Sequence, residues 1–204
     1  MSGCCNDSCA VEQLQQRQRG TLRAVLWINL LMFFVIATAA LFAHSSALLS
    51  DSLDNLGDAL TYILSLYAVS RGAVVKAKVA LFKGVVILIG ACAVAGHVIY
   101  KLIFPVMPVV ELMSLFSLLG LLANGVCLYL LWRHRHEDVN MSSVWECSRN
   151  DIMSNIAVLL TSAAVWLTAS GWPDIIIASL LVILLMRSAM RVIRSATQEL
   201  KAQQ

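Results

Sequence analysis

Apolar residues run along this chain in six stretches of about twenty, predicted as helices at 22–43, 47–70, 79–102, 107–132, 142–168 and 173–195. That length suits helices crossing a hydrocarbon core of roughly 30 Å and is too long for tilted barrel strands. The breaks between stretches are short and carry turn chemistry. His44-Ser45-Ser46 and Gly171-Trp172-Pro173-Asp174 are two of them, and Arg133 to Asn140 is the most polar. Phe104-Pro105-Val106-Met107-Pro108 is another, because proline lacks the N–H that a continuing helix needs. The expected fold class is therefore all-α, a six-helix transmembrane bundle over residues 21–196, with a Cys-containing tail at 1–20 and a short tail at 197–204.

Composition agrees with a membrane protein and excludes a soluble domain: 59% of residues are hydrophobic and 13% charged. Charge placement then predicts orientation. Arg17, Arg19 and Arg23 precede the first stretch, and Arg71, Lys76, Lys78 and Lys83 surround the second break. Arg133 and Arg135 sit in the fourth break, and Arg191, Arg194 and Lys201 come at the end. The opposite breaks carry only Lys101. Under the positive-inside rule both termini are expected in the cytoplasm. The net charge of +3 is spread as topology anchors and forms no patch for nucleic acid. The polar opening, Met1-Ser2-Gly3-Cys4-Cys5, lacks a secretory pattern and reads as a cytoplasmic tail. The six cysteines are expected as free thiols, since they lie in that tail or inside helices.

The chemistry is carried by polar residues within apolar helices. Asp51, Asp54 and Asp58 recur at i, i+3 and i+7, on one stripe of the second helix. Cys147, Asp151 and Asn155 recur at i, i+4 and i+8 on the fifth. A four-residue step sets two side chains about 6 Å apart along the axis on one face. A carboxylate at membrane depth is costly, so these residues are functional candidates by default. Asp54, Asp58, Cys147 and Asp151 supply four ligands, the number a dication such as Zn²⁺ prefers. Thiolate suits soft or borderline metals. Four ionised groups in an empty apolar site would be untenable, so the empty site is expected to hold protons that an entering metal displaces. Reversal on the far side gives metal–proton exchange. Asp51 is a pathway residue or a structural partner. Arg149 points about 200° from Asp151 at roughly 100° per residue, and is expected to pair with Glu146 instead.

The chain resembles the cation diffusion facilitator family through "HSSALLSDSLDNLGDAL", "SRNDIMSNIAVLL" and "GWPDIIIASLLVILLMRSAMRVI". The resemblance covers roughly residues 20–200 and implies a six-helix carrier that exports Zn²⁺ and related dications in exchange for protons. It implies the ligand set Asp54, Asp58, Cys147 and Asp151, with Cys147 standing where histidine is usual. Asn29 and Asn124 fall where the family often has polar residues in the first and fourth helices. Most relatives carry a cytoplasmic C-terminal domain, and this chain is expected to be a short form without it. The resemblance also implies a homodimer, here held through transmembrane helices.

Cys4, Cys5 and Cys9 are candidates for capturing soft metal in the tail, and His134 and His136 for receiving it at the cytoplasmic mouth. His97 reads as a packing residue and His44 as a loop residue at the outer face. No permanent cofactor is expected; the transported ion, Zn²⁺ or Cd²⁺, is substrate. The expected location is a bacterial cytoplasmic membrane. Two other readings remain: a proton-conducting protein indifferent to metal, and a structural subunit whose polar residues hold a partner helix.

Overall fold

The computed structural model describes the backbone of residues 4–68, 73–133 and 139–202. Side chains are described from Arg19 onward within these segments, except at 65, 67–68, 73, 76, 139–144, 146–147, 150 and 202. The described residues form six helices: α1 (Cys4–Ala43), α2 (Ser46–Ala68), α3 (Ala73–Ile103), α4 (Val110–Trp132), α5 (Val139–Thr168) and α6 (Trp172–Ala202). Five of them are long and apolar enough to cross a membrane. The sixth, α2, has the length at 23 residues but carries Asp51, Asp54 and Asp58. This is an all-α, multi-pass membrane protein.

Several boundaries differ from those read off the pattern, with α3 starting at Ala73 and not at 79 and α5 at Val139 and not at 142. The backbone of the polar N-terminal segment continues α1 from Cys4, and α6 runs through the C-terminal segment to Ala202. Neither stretch contains a proline to stop it, and Gln, Glu, Leu and Arg are good helix formers. Helix α4 starts at Val110 and not at 107, because Pro108 interrupts and the Val109 N–H bonds the Ala43 carbonyl at 2.8 Å instead.

All six helices share one core that holds Ile36 and Ala43 of α1, Leu48 of α2, Val94 of α3, Met113 of α4, Val158 of α5 and Ala178 of α6. Helix α3 lies chiefly against α6, and both also touch α2. Small residues set these approaches, as is usual where no hydrophobic drive acts between helices in lipid. A Cβ added at Gly84 of α3 would stand 2.7 Å from Ile193 of α6. The two helices therefore meet backbone to side chain at that level. The outer surface is apolar, with Trp27, Phe42, Tyr129 and Leu167 exposed to the membrane, while Asn29, Asp51, Asn124, Asp151 and Asn155 are buried.

One end of the bundle is closed by a buried polar knot. Asp174, in the first turn of α6, is fully buried and pairs with Lys101 of α3 at 2.8 Å. Its two oxygens also accept the Ser45 hydroxyl at 2.6 Å and the N–H groups of Ser46 and Ala47 at 2.9 and 3.1 Å. Ser45 Oγ in turn accepts the Leu48 N–H at 3.1 Å, making Ser45 the N-cap of α2. Lys101 donates a second bond to the His44 carbonyl at 2.7 Å. The turn between α1 and α2 is thus tied to α3 and α6, with the first N–H groups of α2 satisfied. His44 is exposed, as expected of a loop residue, and takes φ 50° to make the turn.

Candidate functional site

Below that knot, a cavity of about 280 Å³ opens between α2, α3, α5 and α6. Its α2 wall is Ser50, Asp51, Asp54, Gly57, Asp58 and Thr61, a stripe that repeats every three to four residues as helical geometry requires. Asp151 and Ser154 of α5 line it too, as does Lys83 of α3. The structure thus brings Asp54, Asp58 and Asp151 to one space, with Asp51 at its closed end.

The carboxylates differ in setting. Asp51 is 1% exposed, and neither of its oxygens has a hydrogen-bond partner among the described residues. Asp54 is half-buried and hydrogen-bonded to Ser154, which links α2 to α5. Asp58 is buried and accepts the Tyr62 hydroxyl at 3.4 Å. Asp151 is buried, and its main-chain carbonyl accepts the Asn155 amide at 2.9 Å. Among the described residues, no three His, Cys, Asp or Glu side chains converge closely enough to grip one ion. The Cys147 side chain lies outside the described residues, although the α5 backbone carries it one turn before Asp151. The side chains of Cys4, Cys5 and Cys9, the expected Glu146 partner of Arg149, and residues His134 and His136 also lie outside them. Arg149 itself is exposed and stacks over the Trp145 ring, 5.5 Å from its centre.

Asn29, Asn124 and Asn155 are buried but are not among the described residues lining the cavity. The Asn29 amide bonds its own helix at Val25 O and reaches Cys127 Sγ of α4 at 3.6 Å. Asn155 stands against Gly120 of α4, where an added Cβ would lie 2.3 Å from its Oδ1. With Ser114 bonded to Ser162 at 3.0 Å, these contacts fix an antiparallel register that carries Asn124 to the level of Asp151. Cys92 and Cys127 are free thiols.

Two features escape the pattern of the sequence. Lys83, counted with the basic residues flanking the second break, reaches the cavity and donates to Thr61 Oγ1. Its position inside the apolar stretch predicted at 79–102 was the available signal. Asp174 reads as a turn residue, yet it holds the knot; its signal was that Lys101 stood alone among basic residues at that end.

A family model, the cation efflux transmembrane domain, matches residues 22–201. The chain belongs to the cation diffusion facilitator family. The match takes in α1 from residue 22 and the other five helices almost to the end of α6. Comparison with curated proteins found no match. A cation diffusion facilitator is a membrane transporter of metal cations, and the acid-lined cavity lies within its matched domain.

Proposed function

We propose that this protein exports a divalent transition metal, Zn²⁺ or Cd²⁺, in exchange for protons, and that Asp54, Asp58, Asp151 and Cys147 are the ligands in transit. The supporting observation is the meeting of Asp54 and Asp58 of α2 with Asp151 of α5 on one cavity whose far end is closed by the Asp174–Lys101 knot. Read with the positive-inside rule, which puts both termini in the cytoplasm, this cavity receives metal from the cytoplasmic side. The receiving arrangement is looser than a closed cage. Metal entering it draws α2 and α5 together and displaces protons, since carboxylate and thiol groups must be deprotonated to bind. Thiolate at Cys147 favours Zn²⁺ or Cd²⁺ over Mn²⁺.

Asp51, buried and one turn beyond Asp54, serves as a step on the pathway. Asn29, Asn124 and Asn155 support the ligand helices from behind. Cys4, Cys5, Cys9, His134 and His136 gather metal at the cytoplasmic mouth. The working unit is a homodimer through transmembrane helices in a bacterial cytoplasmic membrane, and no permanent cofactor is needed.

The test is proton flux in proteoliposomes on adding Zn²⁺, Cd²⁺ or Mn²⁺, with wild type beside Asp58→Ala. Flux with Zn²⁺ or Cd²⁺ that is lost in the variant is the expected result. Metal-independent flux would favour a proton conductor, and no flux in either protein a structural subunit.

A further inference from the structure

Among the described residues lining the cavity are four carboxyl groups, from Asp51, Asp54, Asp58 and Asp151, and one cation, Lys83. Lys83 is half-buried on α3. Its ammonium donates to Thr61 Oγ1, one helical turn from Asp58 on the same face of α2. Its charge acts on Asp54. The next residue, Gly84, is where α3 presses against Ile193 and the Ala189 carbonyl of α6, with added-Cβ distances of 2.7 and 3.3 Å. That contact leaves the α3 backbone no room to rotate there and presents Lys83 to the cavity. Thr61 is held in turn by its own bond to the Gly57 carbonyl at 2.8 Å.

We propose that Lys83 is a tethered cation of the transport cavity: it balances the carboxylates while no metal is bound, and an incoming ion must displace it. The inference rests on the reading of this cavity as the metal path. Two consequences follow from charge alone. With one fixed positive charge beside the acids, fewer protons are needed to make the empty cavity tolerable. A monovalent ion offers the carboxylates no more charge than Lys83 already supplies, whereas a dication does. Lys83 therefore acts as a specificity-determining residue that keeps Na⁺ and K⁺ out without touching the metal. A lysine suits this role because its ammonium is a compact charge on a flexible stem that can swing aside.

The experiment is calorimetric titration of Cd²⁺ into the full chain in lipid nanodiscs, comparing wild type, Lys83→Met, Lys83→Arg and Asp58→Asn. Each is measured in NaCl and in choline chloride of equal ionic strength. Removing a unit charge about 6 Å from a dication should tighten Cd²⁺ binding at least about tenfold in Lys83→Met, the effect left even under water-like screening. Na⁺ should then weaken binding relative to choline in Lys83→Met, but not in wild type or Lys83→Arg. Unchanged or weaker Cd²⁺ affinity in Lys83→Met, or a Na⁺ effect equal in all variants, would overturn the tethered-cation role while leaving the metal path intact. Absence of Cd²⁺ binding in wild type, or binding untouched in Asp58→Asn, would remove the metal path itself and this inference with it.

Discussion

Asn155 is a buried residue whose neighbour decides what it can do. Its amide nitrogen holds the Asp151 carbonyl, and its amide oxygen occupies the space a side chain at position 120 would fill. Gly120→Ala should therefore force Asn155 or Ile36 aside, and overpacking of this kind costs about 1–3 kcal/mol. The expected outcome is a thermal midpoint in detergent lowered by several degrees. Adding Asn155→Ala should recover part of that loss, because the two positions are in contact and their effects are not additive. The spacing of Asp54, Asp58 and Asp151 was legible from the chain because helical periodicity is local, and each acid lies on a stripe the sequence alone defines. Gly120 was not legible. Its role depends on the register of α4 against α5, which is set by contacts between residues far apart in sequence.

At the scale of elements, the Asp174 knot joins three pieces that the sequence presents separately: the turn before α2, the end of α3 and the start of α6. Breaking one partner of a buried ion pair typically costs about 3–5 kcal/mol, because the other charge is left without compensation. Asp174→Ala also removes the acceptor for two N–H groups at the start of α2. It should therefore be among the most destabilising single changes in the protein, read as loss of folded protein in a heating series monitored by size-exclusion chromatography. The paired change Lys101→Met with Asp174→Leu should be milder than Asp174→Ala, since it leaves no unpaired charge. Equal damage from the single and paired changes would show that capping of α2, and not the ion pair, holds this end. The six helices themselves were legible, as length and hydropathy are summed over whole segments. Their ends were less so: α1 and α6 extend into polar sequence, and the start of α4 follows Pro108 and a bond to Ala43.

At the scale of the molecule, the bundle is apolar outside and keeps its intramembrane polar residues within, the arrangement that lipid requires. The order of the helices was readable. The grouping of α3 with α6 beside the other four was not, because it depends on close approaches such as Gly84 to Ile193. The grouping matters because α3 and α6 each bring one partner of the ion pair at the closed end and also line the cavity below it.

The burial of that pair has a consequence for how the resting carrier responds to its surroundings. Surface charges weaken as salt rises, whereas Lys101 and Asp174, at 2% and 0% exposure, are beyond the reach of the ion atmosphere. If the cavity is the metal path proposed above, a latch of this kind should give the same preference for one face in dilute and in concentrated media. Labelling of Ser50→Cys by a membrane-impermeant thiol reagent from the side of the α1–α2 turn should stay equally slow between about 0.05 and about 0.5 M salt. Labelling that accelerates with salt would mean that screened surface charges, and not the latch, hold that face shut.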